Sequence, residues 1–201
     1  MINSKNRNTL IIVGIIVILI VWAVSAYNGL VKKEVSVSDA WANVESVYQR
    51  RADLIPNLVK TVQGAADFEK GTLESVIEAR SAATSVQIDA KDLTPENMAK
   101  FQQAQDNLSG ALSRLMVVVE RYPELKATEN FRDLQAQLEG TENRINVERQ
   151  KFNQTVKEYN TSVRKFPANL IAGMFSFEQK AFFKAEEGAD KAPDVDFNFG
   201  K

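Results

Sequence analysis

Residues 9–31 read TLIIVGIIVILIVWAVSAYNGLV. No charge falls between Arg7 and Lys32, and Leu10 to Val24 is almost unbroken Ile, Val and Leu. About 20 apolar residues at roughly 1.5 Å rise cross the ~30 Å hydrocarbon core of a bilayer as a helix. Trp22 and Tyr27 stand near the far end, where amphipathic rings favour the membrane interface. Lys5 and Arg7 flank one end, Lys32 and Lys33 the other. A buried core helix is the plainer reading, but nothing polar breaks the run on any face. A cleaved signal peptide would share the charged start, and Val24-Ser25-Ala26 fits a small-residue cleavage site. The apolar run is long for such a peptide, so the segment reads as an uncleaved anchor.

Working outward, composition bounds the remainder. An anchor at 9–31 leaves about 170 of the 201 residues, enough for one ordinary domain. With 25 basic and 26 acidic residues the net charge is −1, which argues against a general nucleic-acid binder. The chain has no Cys, hence no disulfide, thiolate nucleophile or lipid-bearing cysteine. It has no His, which removes the commonest general base and metal ligand.

Residues 1–8 form a short polar tail. Asn28-Gly29 permits a bend, and Ser38 or Asp39 is placed to cap a helix start. The anchor can equally run straight on as a stalk. Trp41, Val44, Tyr48, Arg51, Ile55, Leu58, Val62 and Ala65 follow 3-4 spacing, the seam of a packed helix. Pro56 lies inside it, frees the Ala52 carbonyl and predicts a kink. The helix is expected to end between Ala66 and Glu69. A weaker apolar face follows in Leu73, Val76, Ile77, Arg80 and Ala83. Around Asp89 the chain is turn-like, with Thr94 as an N-cap and Pro95 at the first helical position. Phe101, Ala104, Leu108, Ala111, Leu115 and Val118 then give the cleanest heptad signal, of coiled-coil type. Tyr122-Pro123 closes that helix. A long one lined by Phe131, Leu134, Leu138, Ile145, Phe152, Val156, Tyr159 and Val163 runs to Pro167.

The fold expected is therefore all-α: one transmembrane helix, then an antiparallel bundle over residues 35–168. It has four helical segments, or three if residues 70–120 form one helix. Residues 169–184 are Phe-rich, and 185–201 are acidic and read as disordered. In the four-segment case the Phe-rich end returns to the bilayer side.

Catalytic signatures are missing. Di-iron bundles need Glu-x-x-His pairs, and a Ser-His-Asp triad needs its histidine. No phosphate-binding loop, dinucleotide-binding turn, nucleophile elbow or EF-hand occurs. No metal, cofactor or small-molecule substrate is expected. The informative polar residues lie within helical faces. Arg50, Arg51, Asp53, Pro56 and Asn57 surround the helix proline, and Arg50 can pair with Asp53 at i,i+3. Glu142, Asn143 and Arg144 make a similar inset. Each serves either as architecture or as a partner-binding inset. Asn143, Asn146, Asn153 and Asn160 cost helix propensity and suggest interhelical hydrogen bonds. Phe166, Phe175 and Phe177 either cap the core or, with Phe182 and Phe183, meet the bilayer or a partner.

The segments YNGLV (27–31), AWANV (40–44), QRRADLIPNLV (49–59), YPELK (122–126), ENRI (142–145), VKEYN (156–160) and Phe166-Pro167 resemble the LemA family. The likeness holds in order and spacing to about Phe183, and the acidic end beyond it stands apart. It implies a bacterial membrane-anchored helical bundle. It implies no reaction and no catalytic residue, so Arg50, Arg51, Asp53, Pro56 and Asn57 stand as signature positions.

The function expected is a non-enzymatic, single-pass scaffold or adaptor of the bacterial cytoplasmic membrane, acting through protein partners or self-association. The alternative is a small-ligand receptor or enzyme built on Arg50, Arg51 and Asp53 with Glu142 and Arg144. Basic flanks are nearly balanced across the anchor. The expected orientation leaves the short N-terminus in the cytoplasm and the domain outside it.

Overall fold

The computed structural model describes residues 4–64 and 69–184. The apolar segment lies within the first half of one helix, α1 (Ser4–Gln63), of 60 residues. At 1.5 Å per residue it is about 90 Å long. Its N-terminal part is long and apolar enough to cross a membrane. Neither Asn28-Gly29 nor the Ser38/Asp39 cap interrupts it. Ser38 instead donates its hydroxyl to the Glu34 carbonyl one turn back, at 3.3 Å. The helix also continues through Pro56. Its assigned end is Gln63, and the expected end at 66–69 falls largely on residues 65–68, outside the described residues.

Then come α2 (Lys70–Ser85), a 3-10 turn (Ala90–Asp92), α3 (Pro95–Val119), α4 (Pro123–Lys126), α5 (Glu129–Arg164) and α6 (Ala168–Met174). No strand occurs among the described residues. The chain breaks between α2 and α3, so the three-helix alternative does not hold. The break is built by local polar groups. Asp89 Oδ1 accepts from the Lys91 amide at 2.9 Å, and Thr94 Oγ1 accepts from the Asn97 amide at 3.2 Å. Pro95 then sits in the first turn of α3, where a missing N–H costs nothing. Thr128 caps α5 in the same way, accepting from the Phe131 amide.

The helices alternate in direction. Lys33 bonds Ser162, Arg51 bonds Glu142, and the far ends of α1 and α5 share a core, so these two run antiparallel. Arg80 meets Ala52 and Ile88 meets Trp41, which brings α2 back toward the apolar segment of α1. Two apolar cores result. The proximal one, nearer the apolar segment of α1, holds Leu30, Val37, Trp41, Val44, Phe101, Phe152 and Tyr159. The distal one holds Ile55, Leu58, Val62, Leu73, Leu108, Leu115 and Phe131. The seam residues expected on α1, α3 and α5 are buried or half-buried throughout their described length. Ile77 departs from its expected face and is exposed.

Beyond α5 the chain doubles back. Ser176 takes φ 57°, the left-handed geometry that ends a helix, and the Phe177 amide donates to the Ala172 carbonyl at 3.0 Å. Residues 177–184 then run as an extended strap from the Tyr27 level of α1 to the Trp41 level. The acidic end, 185–201, lies outside the described residues.

Candidate functional site

A polar layer separates the two cores, and Arg51 is its centre. Arg51 is only 2% exposed. One terminal nitrogen (Nη1) donates to Ser109 Oγ at 2.8 Å and to Glu142 Oε2 at 2.9 Å. The other (Nη2) donates to Gln105 Oε1 at 2.8 Å and to the Gln105 carbonyl at 3.3 Å. The guanidinium also lies over the Tyr48 ring, 5.1 Å from its centroid. Gln105 passes the connection on, donating from Nε2 to the Ala83 carbonyl at 3.2 Å. One buried cation thus ties α1, α3 and α5 directly, and α2 through Gln105. Arg51 Nε is buried without a hydrogen-bond partner among the described residues. Tyr48, Arg51, Gln105, Asp106, Ser109, Glu142 and Arg149 line an open cleft of about 350 Å³ beside it. Burial pushes the Tyr48 phenol up to about 12, against the pull of Arg149 and Arg51.

One turn further along α1, Pro56 leaves the Ala52 carbonyl without its helical donor. Arg80 of α2 supplies one, its Nε donating at 2.7 Å. Helical spacing alone puts Arg80 on an apolar face and gives it no role. Gln105 and Ser109 escape a reading of the sequence altogether, because an isolated polar residue in a heptad carries no sign of its partner.

The candidate residues therefore separate. Arg51 and Glu142 come together, and Pro56 acts through Arg80. Arg50 does not pair with Asp53, which accepts from Gln49 Nε2 at 2.8 Å. Arg50 instead lines a separate surface cleft of about 530 Å³ with Ser46, Gln137, Thr141 and Arg144. Arg144 in turn reaches Glu148 at 3.4 Å. Asp53, Asn57 and Asn143 are exposed. Among the described residues, no group of three or more His, Cys, Asp or Glu is arranged to hold a metal ion.

Asn153 and Asn160 of α5 serve a different purpose from interhelical bonding. Asn160 accepts from the Lys180 amide at 2.9 Å and donates to its carbonyl at 2.8 Å. Asn153 repeats the pattern on Phe183, at 2.9 and 3.1 Å. Gln102 of α3 does so on Lys184, at 3.3 and 3.2 Å. Three carboxamides thus pair with the strap backbone as a neighbouring β-strand would. Asn143 and Asn146 take no part and are exposed.

The phenylalanines sort by this docking. Phe183, expected at a partner or bilayer surface, is 4% exposed and belongs to the core. It packs against Trp41, Phe101 and Phe152, with Arg149 over its ring at 4.9 Å. The strap fills the groove that the bundle would otherwise leave open. Phe177 is half-buried against Tyr27, and Phe175 and Phe182 are exposed. Phe166 is exposed as well, so it does not cap the core. Trp22 is half-buried and packs on the proximal core.

Against known proteins, the LemA family matches residues 40–197. That range takes in much of the acidic end, which the shared segments alone leave outside the family. The chain is 25% identical over 185 residues to Magnetosome protein MamQ 2 of Paramagnetospirillum magneticum, covering 82% of this chain and 66% of that one. It is 26% identical over 181 residues to Magnetosome protein MamQ of Magnetospirillum gryphiswaldense, with the same coverage. It therefore spans just under two thirds of the length of these relatives. Protein LemA of Metamycoplasma hominis is 21% identical over 160 residues, covering 80% of this chain and 69% of that one. With a match over most of its length, and with the all-α bundle that the shared segments imply, the chain belongs to the LemA family.

Proposed function

We propose that this protein is a non-enzymatic, membrane-anchored scaffold or adaptor of the bacterial cytoplasmic membrane, acting through protein–protein association. The observation that carries this reading is the continuity of α1. One helix supplies both the membrane-length apolar segment and the central member of the bundle. A bundle joined this way cannot swing freely on a linker. It moves with the apolar segment as one body, as suits a platform for partners. Membership of the LemA family, whose shared segments imply a membrane-anchored helical bundle, supports the membrane part of this reading.

The test is photo-crosslinking in cells from the exposed apolar residues Val117 on α3 and Val147 on α5. The expected result is a discrete crosslinked band, either to a partner or to a second copy. A protein that is a monodisperse monomer in detergent and gives no crosslink from either position overturns the reading. The domain is proposed to lie outside the cytoplasm. Protease treatment of intact spheroplasts is expected to remove an epitope placed after Lys201, and protection until lysis reverses that orientation.

A small-ligand receptor is the second reading. The unpartnered Arg51 Nε beside the 350 Å³ cleft favours it. Full complementation of a deletion strain by an Asp106→Ala, Ser109→Ala double variant removes it.

A further inference from the structure

We infer that the α6 hairpin is a second membrane contact, a foot that inserts into the interfacial region of the bilayer beside α1. This inference rests on α1 crossing the membrane, and on three further observations.

The first is exposed apolar surface. Phe166 and Met174 are 74% exposed, Leu170 and Phe175 56%. Leu170 and Met174 stand one turn apart on α6, while Ile171 and Ala172 on its other side are buried in the proximal core. A helix that is apolar on both its packed and its free side is stable against lipid, not against water.

The second is charge. Residues 166–177 read FPANLIAGMFSF, without an ionisable side chain. The run is bounded by exposed Arg164 and Lys165 on one side and by Glu178 on the other. Lys33 on α1 is bonded to Ser162, so it lies at the same level, with Lys32 exposed next to it. Glu34 and Glu158 share that level. Ionic groups of both signs thus sit above the foot, at headgroup depth, and none within it.

The third is depth, and it decides the occupant. Phe175 packs on Tyr27 with ring centroids 4.8 Å apart, and Phe177 does so at 5.7 Å. Trp22, Ala23 and Ala26 pack against the same core. Tyr27 lies four residues, about 6 Å along the helix, inside the last uncharged residue of the span, Val31. Helices lying in a membrane interface bury their apolar face by roughly 5–10 Å. If α1 spans the bilayer on its uncharged run, the foot is carried to that depth. A second protein would have to approach within the headgroup layer to cover the same face.

The chain has no Cys, so single cysteines can be introduced at chosen sites. The experiment labels Ile18→Cys, Met174→Cys and Val117→Cys variants of the full chain with an environment-sensitive fluorophore. Each is reconstituted into phosphatidylcholine–phosphatidylglycerol vesicles, with quenchers carried either in the lipid or in the water. Ile18 is expected to be quenched by deep lipid quenchers and Met174 by shallow ones. Val117, exposed and apolar at the far end of the bundle, is expected to be quenched only from water. A Phe166→Cys variant, with the same expectation as Met174, covers the case in which Met174→Cys does not fold. If Ile18 reports lipid while Met174 and Phe166 report water, the foot is wrong and the anchor stands. If Ile18 reports water, the anchor reading fails and the foot fails with it.

Discussion

Arg80 donates from Nε to the Ala52 carbonyl at 2.7 Å, and that carbonyl is the one that Pro56 deprives of its helical partner. A proline on one helix and an arginine on another are thus one structural unit. Removing Arg80 leaves a part-buried carbonyl unsatisfied, which costs about 1–3 kcal/mol. Replacing Pro56 by Ala restores the N–H that the carbonyl wants. The expected outcome is that Arg80→Ala destabilises the chain on its own but costs much less on a Pro56→Ala background. Urea denaturation of the full chain in detergent, run as a double-mutant cycle, measures the coupling. A coupling energy near zero disproves the pairing.

Arg51 is expected to be the most sensitive polar position in the bundle. Its loss undoes four hydrogen bonds in one layer and leaves Gln105 Oε1 buried without a donor. Breaking a buried ionic network by removing one member costs about 3–5 kcal/mol. Glu142 is half exposed, so solvent offsets part of its loss. Arg51→Ala should therefore cost about 3 kcal/mol or more. Glu142→Gln, which keeps an acceptor for Arg51, should cost about 1 kcal/mol. Equal effects in the same denaturation assay would contradict the burial asymmetry.

The strap is held by backbone recognition, so its release should be local and graded. Asn160→Ala strips both hydrogen bonds from Lys180 and leaves its buried amide and carbonyl without those partners, at about 2 kcal/mol. Hydrogen exchange should then rise at the Lys180 amide. The Phe183 amide, held by Asn153, should rise less. Phe183→Ala removes an aromatic side chain from the proximal core and should cost about 3–5 kcal/mol. Unchanged exchange across 177–184 in Asn160→Ala would mean that the strap does not depend on its carboxamide clamps.

The regular parts of this fold are legible because burial follows helical spacing. Trp41, Val44, Tyr48, Ile55, Leu58 and Val62 declare their face by 3-4 periodicity, and so do the apolar residues of α3 and α5. Thr94-Pro95 announces a helix start because the Thr94 hydroxyl satisfies an amide three residues away, within the window that a sequence displays. Ser38 and Asp39 carry the same signal, yet tertiary packing on both sides keeps α1 helical through them. Arg51 is legible as an anomaly on the seam, but not its partners, which lie 54 to 91 residues away. Asn153 and Asn160 suggest interhelical bonds for the same reason. Their true partners lie on an extended segment whose docking has no periodicity. Phe183 resembles surface because a short aromatic run in a tail reads alike whether it folds back or not.

Tyr159 gives a prediction of opposite sign. Its ring is fully buried, and its hydroxyl has no hydrogen-bond partner among the described residues. Burial pushes the phenol up to about 12, with Glu34 and Glu178 adding to the shift. A buried hydroxyl without a partner carries a desolvation cost of about 1–3 kcal/mol. Tyr159→Phe should therefore leave stability unchanged or raise it by about 1 kcal/mol. A loss above that would show that the hydroxyl is bonded in solution.

Glu45 supplies a test by pH. It is half-buried on α1, and burial raises its carboxyl above the ordinary 4.5, with Asp89 adding to the shift and the Trp41 indole opposing it. A carboxyl whose folded value exceeds its unfolded one binds its proton more readily in the folded state. Its contribution to stability is therefore most favourable below about 4.5 and declines as pH rises through the folded value. Gln in its place keeps the shape and has no charge to desolvate. Glu45→Gln should accordingly match the wild type in acid and melt higher than it at neutral pH. The measurement is a pair of thermal melts of the full chain in detergent, one at pH 4 and one at pH 7. If the variant melts lower at pH 7 than the wild type, the fold stabilises the ionised carboxylate and the Glu45 shift runs downward instead.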